Sequence, residues 1–261
     1  MAHTSTSSKE TRMRKNNNLD GLAWSCCGSK LMNKPAGKNM MYEPTNIEHI
    51  ANCITHGLWI IPSCIGCLCM LHQSTTEQHK YSAIIYGLSL ICLFSVSTIF
   101  HLVAWSGKTS TLRFYLHVSD RAVIYLFIAS SYTPWLTLRD MGFLGQTMRW
   151  FIWVMAVLGI SYNYCFYEKY KKLETFFYFV IGFLPAISIV LTTSLSSINT
   201  DGLSEMALGG LIYVLGTAFF KSDGIIPCSH AIWHLFVAGG AYVHYYAVTT
   251  YLYIPNSGET D

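Results

Sequence analysis

The sequence predicts an all-α membrane protein, a bundle of seven transmembrane helices. Charged residues make up 12% of the 261 residues, and apolar residues make up 52%. Soluble proteins carry about 25% charged residues, roughly twice this share. Seven long stretches contain no Asp, Glu, Lys or Arg, and a membrane-spanning helix needs about 20 mostly apolar residues, so each stretch fits one span. These stretches are 49 to 76, 81 to 107, 122 to 138, 150 to 167, 175 to 200, 206 to 220 and 224 to 258.

The order of the spans along the chain follows from these stretches and from the polar residues between them. Residues 1 to 45 are rich in Ser, Lys, Asn and Gly and have no apolar core, which predicts a flexible cytosolic tail. Residues 46 to 253 form the predicted membrane domain, and residues 254 to 261 form a short second tail. We place the spans at about 47 to 71, 82 to 105, 114 to 136, 148 to 167, 174 to 195, 204 to 221 and 229 to 251.

The Lys and Arg residues between the spans predict how the bundle is oriented. Only Lys80, Arg139 and Arg149 lie on the side opposite the amino terminus. Because cytosolic loops carry the excess of basic residues, we expect a cytosolic amino terminus and a luminal or extracellular carboxyl terminus. The amino-terminal side carries thirteen: Lys9, Arg12, Arg14, Lys15, Lys30, Lys34, Lys38, Lys108, Arg113, Lys169, Lys171, Lys172 and Lys221.

Charge and cysteine content exclude several classes of protein. The net charge is only +3, and the basic residues do not form a stripe that follows a phosphate backbone, so we expect membrane lipids and no nucleic acid as partners. The chain has nine cysteines, an odd number that argues against a complete disulfide framework. Most of them lie inside apolar runs, where cysteine behaves as a small hydrophobic residue, so we expect reduced thiols.

Polar residues follow one face of the first predicted span. Glu48, Asn52 and His56 recur four residues apart, with Thr55 beside them, so they form one stripe on a helix. An ionisable side chain inside a bilayer costs about 2.5 kcal/mol or more, so such a stripe needs partners or a function. We interpret it as a hydrogen-bond network between helices in preference to direct catalysis.

Three other spans bring polar residues to the same depth. Ser97 and His101 share a face at the cytosolic end of span two, Asp120 lies in the cytosolic half of span three, and His230 and His234 begin span seven. Three neutral histidine nitrogens can hold one zinc ion and leave a fourth position for water. Asp120 can then act as a general base and Ser97 can orient a ligand or a substrate carbonyl. From the residues alone, a purely structural polar network is an equal alternative.

The remaining polar residues in the spans have simpler interpretations. We expect His49, His117 and His244 to be hydrogen-bonded interior residues. Arg121 follows Asp120 but points about 100° away on a helix, so we expect it to extend toward the cytosolic headgroups.

The arrangement of these residues resembles the progestin and adipoQ receptor and hemolysin III family over about residues 43 to 253. The stretches DRAVIYLFIA, MRWFIW, FFKSDGIIP and HAIWHLFVA are similar to its monocyte to macrophage differentiation factor branch. The resemblance implies a seven-helix bundle with a cytosolic amino terminus. It also implies one zinc held by His101, His230 and His234 plus a water, with Asp120 near that water and Ser97 close to the ligands.

The resemblance also implies a set of competing functions. Some relatives are receptors for adiponectin or progestins, some hydrolyse ceramide or other amides with zinc, and this branch supports Ras and MAP-kinase signalling from Golgi and lysosomal membranes. Arg121 stands where adiponectin-type members carry Tyr, which argues against adiponectin binding. We therefore expect a zinc-containing signalling receptor or scaffold of endomembranes with cytosolic signalling partners. The alternative is a zinc-dependent lipid amide hydrolase, and a pore is disfavoured because polar residues in one leaflet form no continuous path.

Overall fold

The computed structural model describes residues 31–37, 43–107, 111–167, 169–196 and 200–254. Within these ranges the chain forms seven long α-helices and no strand, which confirms the predicted all-α class. A short π-helical turn, Thr249–Tyr253, follows the last helix. The helices are α1 Asn46–His72, α2 Glu77–Trp105, α3 Thr111–Leu138, α4 Gly142–Cys165, α5 Lys171–Ser196, α6 Leu203–Phe220 and α7 Ser229–Val248.

Five of these helices, α1, α2, α4, α5 and α6, are long and apolar enough to cross a membrane. The other two are less apolar because α3 contains Arg113, Asp120 and Arg121, and α7 contains three histidines. Both lie inside the bundle: α3 packs against α2, α4, α5 and α7, and α7 packs against α6, α1 and α3. Each of the two thus has faces packed against other helices, while apolar side chains such as Leu235 on α7 remain exposed on the outside.

The helix ends lie close to the predicted span ends, with two informative differences. Helix α2 begins at Glu77, where Thr76 accepts a hydrogen bond from the backbone N–H of His79 at 3.2 Å. Helix α4 begins at Gly142, six residues before the predicted span, because Arg149 interrupts the charge-free run on which that span was based. The Thr76 side chain caps the added turns of α2, whereas α4 has no side-chain cap.

Residues 31–37 pack on the bundle, although the sequence predicted a flexible tail as far as residue 45. The buried amide of Asn33 donates a hydrogen bond to Asp223 at 2.5 Å, in the loop between α6 and α7. A Cβ atom on Gly224, whose φ is +72°, would lie 2.4 Å from the nitrogen of Pro35. This loop thus accepts the segment because residue 224 has no side chain. Residues 1–30 and 38–42 of the predicted tail, and 255–261 of the second, lie outside the described residues.

Close packing of α1 on α2 depends on Gly87. A Cβ atom there would lie 2.4 Å from Sγ and 2.6 Å from Cβ of Cys67, so backbone would have to move. We expect Gly87→Ala to lower the free energy of unfolding by about 1–3 kcal/mol, measured by denaturation in detergent. The matched control is Gly210→Ala in α6, where no atom lies within 4 Å of the added methyl group. Equal stability of the two variants would contradict the packing described here.

Candidate metal centre

Three histidines from two helices meet at one end of the bundle. His101 lies near the end of α2, and His230 and His234 lie in the first two turns of α7. One ligand atom from each residue lies within 4.8 Å of the other two, so a single ion can contact all three. His101 and His234 are fully buried and His230 is half-buried. The structure therefore brings together the three histidines that the sequence predicted as ligands.

Glu48 positions the helix that carries two of these histidines. Its Oε1 accepts a hydrogen bond from the backbone N–H of His230 at 3.2 Å, although it belongs to α1. The first N–H groups of a helix have no partner within the helix, and Cys228, which precedes α7, provides no side-chain cap. Glu48 is fully buried, and its carboxylate supplies this cap from a neighbouring helix. Its negative charge is also attracted to the positive, amino-terminal end of the α7 dipole.

Thr55 determines which nitrogen of His234 is available to a metal. The Thr55 hydroxyl donates a hydrogen bond to the carbonyl of Ala51 at 2.8 Å, and its oxygen lies 3.2 Å from Nδ1 of His234. A hydroxyl has one hydrogen, so the Thr55 oxygen accepts a bond from Nδ1–H. The ring then carries its lone pair on Nε2, and the tautomer suits a metal ligand.

Asn52 contacts Nδ1 of His101 as Thr55 contacts Nδ1 of His234. Its amide nitrogen lies 3.3 Å from Nδ1 of His101, while Nε2 of that ring is buried and forms no hydrogen bond to a described residue. Rotation of the amide places its oxygen at the ring, where it accepts from Nδ1–H and leaves the Nε2 lone pair for an ion. A buried nitrogen without a partner costs stability, and a metal ion removes that cost. The donors present therefore fit a metal bound by three neutral imidazoles.

The contact between Asn52 and His101 leads to a prediction about metal affinity. We expect Asn52→Ala to weaken zinc binding by about 10–100-fold, because the ring loses the group that fixes its orientation. The affinity is measured by competition with a colorimetric chelator. The matched control is Ser63→Ala, another buried residue of α1, whose hydroxyl donates a hydrogen bond to the carbonyl of Trp59 in its own helix. An unchanged affinity in the Asn52 variant would show that the contact has no effect on the ligand.

A cavity of about 240 Å³ lies beside the histidines. Ser97 of α2 and Asp120 of α3 line its polar part, together with His56, whose ring stacks on that of His234 with centroids 3.7 Å apart. Both nitrogens of His56 are buried without a hydrogen bond to a described residue. The rest of the wall is largely apolar: Leu93, Phe100, Ile124, Phe220, Trp233 and Val237. The arrangement can hold an apolar chain with a polar group directed at the histidines.

Comparison with known proteins assigns the chain to a family. The family model described as "Haemolysin-III related" matches residues 45–245, which is most of the chain. This protein belongs to the haemolysin III family. It is 52% identical over 225 residues to human monocyte to macrophage differentiation factor, covering 86% of this chain and 92% of the relative, and equally to the mouse protein. It is 34% identical over 209 residues to hemolysin-3 of Bacillus cereus, covering 78% and 92% of the two chains.

In this haemolysin III family member, Arg121 does not reach the headgroups, so that expectation was wrong. Its guanidinium forms an ion pair with Glu174 of α5, and both side chains are buried. The hydroxyl of Tyr178 lies 3.0 Å from the second carboxylate oxygen of Glu174. The sequence analysis missed Glu174 as a partner because this residue directly precedes the fifth apolar stretch, a position that gives no sign of a buried ion pair. The pair connects α3 to α5 directly beside Asp120.

Three further histidines of the described part of the chain lie outside the cluster of three. His117 is buried with Nδ1 2.6 Å from the hydroxyl of Tyr167, as an interior residue should be, and it also lines the cavity. His49 is buried with its ring centroid 6.4 Å from that of His101. His244 stacks on Tyr213 further along α7. Every cysteine among the described residues is a free thiol.

Proposed function

We propose that this protein binds one zinc ion through His101, His230 and His234 and hydrolyses the amide or ester bond of a lipid. The observation that carries the proposal is a buried set of three imidazoles that opens onto a cavity containing a carboxylate. Three protein ligands with a fourth position open to water are typical of catalytic zinc sites, whereas structural sites are closed by four ligands. Imidazole ligands also suit copper, iron and nickel, so zinc is the part of the proposal that elemental analysis must test.

Four residues of the cavity have assigned roles in this reaction. Bound zinc would polarise the carbonyl oxygen and lower the pKa of water. Asp120 accepts a proton as the oxygen of water forms a bond to the carbonyl carbon. Asp120 then returns the proton to the amine or alcohol that leaves when the original bond breaks. Ser97 donates a hydrogen bond that orients the carbonyl, and apolar residues such as Leu93 and Trp233 contact the acyl chain.

Three polar residues of α1 position the ligands of this site without taking part in the chemistry. The contacts of Glu48, Asn52 and Thr55 are to a backbone N–H and to the Nδ1 atoms of two rings, on the side away from the ion. Such contacts fix tautomer and orientation. This supports the network role that the sequence predicted for them.

The proposal is tested by lipid hydrolysis with purified, zinc-loaded full-length protein in detergent micelles. The substrates are a fluorescent long-chain N-acyl sphingoid amide and an ester with the same acyl chain. We expect turnover of at least one substrate, its loss after chelation and its return when zinc is added. Folded, zinc-loaded protein that turns over neither substrate would contradict the hydrolase.

Signalling is the second candidate function, and the relatives favour it. The proteins that are 52% identical to this chain are named monocyte to macrophage differentiation factors, which favours a signalling role. We propose in this case a receptor-like or scaffold protein of Golgi or other endomembranes that supports Ras and MAP-kinase signalling, as the family resemblance implies. Zinc would then be structural, and the basic segments would bind cytosolic signalling proteins. Deletion of residues 1 to 40, or replacement of Lys169, Lys171 and Lys172 by Glu, should then abolish signalling with the metal content unchanged. If both changes leave signalling intact, this candidate loses its basis.

We infer that the end of the bundle with the histidines faces the cytosol, as the distribution of Lys and Arg suggests. An epitope at the amino terminus should then react with antibody after selective permeabilisation of the plasma membrane, and an epitope at the carboxyl terminus should react only after full permeabilisation. The reverse pattern would place the histidines in the other leaflet.

A further inference from the structure

A second cavity of about 340 Å³ lies at the opposite end of the bundle, where α3 ends and α4 begins. Gln78, at the start of α2, lines it, whereas His101 lies near the other end of that helix. Two arginines, Arg139 and Arg149, line the cavity together with Asp140, the hydroxyl residue Thr137 and the first turn of α4. The cavity is therefore separate from the candidate metal centre and has a different chemistry.

Arg149 and Thr137 offer hydrogen-bond donors to this cavity. Arg149 donates a hydrogen bond to the carbonyl of Leu136 at 2.6 Å and forms no ion pair with a described residue. Its Nε atom is buried without a hydrogen bond to a described residue, and the same is true of the Thr137 hydroxyl oxygen. Two buried polar groups without partners in one cavity indicate that a ligand satisfies them.

Arg139 adds a second fixed positive charge. It donates to the carbonyl of Asp201 at 2.5 Å, and its guanidinium carbon lies 4.8 Å from the centre of the Trp135 ring. Partial burial lowers the pKa of Arg139, and the charge of Asp201 opposes that shift. Asp201 thus already stabilises the charge of Arg139, and Arg149 is the principal cation that the cavity offers to a ligand. Asp140, the acidic residue that lines the cavity, is exposed and accepts a hydrogen bond from the N–H of Gly142 at 3.0 Å.

The surface around the cavity resembles a membrane interface. Phe143 and Trp150, in the first turns of α4, are 85% and 76% exposed. Large aromatic side chains exposed at span ends are typical of the layer that contains lipid headgroups. The amino terminus of α4, where Met141 provides no side-chain cap, adds the positive end of a helix dipole.

We propose that this cavity binds a phosphate group, and that the headgroup of an anionic phospholipid supplies it. Guanidinium groups form paired hydrogen bonds to phosphate oxygens, and basic pockets between membrane helices bind lipid headgroups. The Thr137 hydroxyl and Nε of Arg149 supply two of the donors. The inference is independent of the metal centre and of the proposed hydrolysis.

The test counts lipids retained by detergent-purified full-length protein in native mass spectrometry, with phosphatidylglycerol or phosphatidylcholine added. We expect the wild type to retain one phosphatidylglycerol per chain. Arg149→Gln should weaken retention about tenfold, because it removes a charge-assisted hydrogen bond. Thr137→Val keeps the shape of the side chain, removes the hydroxyl and should weaken retention in the same direction, so the test survives if the arginine variant folds poorly. The control is Lys80→Gln, which removes an exposed positive charge at the same end of the bundle.

A thermal unfolding measurement with added inorganic phosphate separates the two sources of the group. Retention of phosphatidylglycerol that is lost in both cavity variants and kept in the control supports the proposal. If inorganic phosphate stabilises the protein but neither lipid is retained, the cavity binds free phosphate and the proposal of a lipid headgroup is overturned. Equal retention in the wild type, both cavity variants and the control, with no response to phosphate, would overturn the site.

Discussion

Replacement of Asp120 by Asn should leave the zinc content unchanged and lower lipid turnover by about 10²–10⁴-fold. The amide has nearly the same shape but cannot accept the proton that hydrolysis releases, and general-base catalysis contributes an acceleration of this order. The three histidines remain, so binding of the ion should not change. Turnover and metal content are measured on the same detergent-purified sample.

The matched control for this prediction is Asp223→Asn. Asp223 also lines the cavity, and it accepts a hydrogen bond from Asn33, which an amide oxygen can still accept. We expect this variant to keep its turnover. If the Asp120 variant turns over lipid at the wild-type rate, Asp120 is not the base and the proposed mechanism is wrong.

Arg121→Ala should lower the free energy of unfolding by about 3–5 kcal/mol. The variant leaves the carboxylate of Glu174, only 6% exposed, buried without its cation, and breaking a buried ion pair from one side has a cost of this size. Stability is measured by equilibrium unfolding in mixed micelles. Metal content of the folded fraction, measured in parallel, shows whether Asp120 and the histidines still form the site.

Two further variants make the effect of Arg121 specific. Arg121→Met combined with Glu174→Leu removes both charges and should restore most of the stability, because apolar residues of similar volume often replace a buried pair without loss. Lys80→Ala breaks an exposed pair with Glu77, and it should change stability by about 1 kcal/mol or less. If Arg121→Ala is no more destabilising than Lys80→Ala, the pair with Glu174 has no structural role.

The sequence predicted the seven helices well because a bilayer requires long runs without charge, and such runs are visible without any alignment. It also predicted that His101, His230 and His234 lie at one depth, because residue spacing and span direction determine depth. Whether helices at one depth face each other depends on packing, and only the structure shows the three ligand atoms within 4.8 Å.

Contacts between residues that lie far apart in the sequence were not predictable. Glu48 was predicted as part of a network, but its partner is the N–H of His230, and a backbone group has no signature in the sequence. Arg121 was expected at the headgroups because Glu174, its partner, lies 53 positions away on another helix. Packing of residues 31–37 was missed because so short a segment, with Leu31 and Met32 followed by polar and turn-forming residues, has no helical or strand periodicity that marks a docking site.

The account depends above all on a metal at His101, His230 and His234. The most direct test is elemental mass spectrometry of detergent-purified wild type, His234→Ala and His244→Ala. The last variant is the control, since His244 lies on the same helix, is equally buried and stacks on Tyr213 outside the cluster. We predict about one zinc per chain in the wild type and in the His244 variant, and none in the His234 variant. Folded wild-type protein without zinc, or a His234 variant that keeps it, would contradict the metal centre.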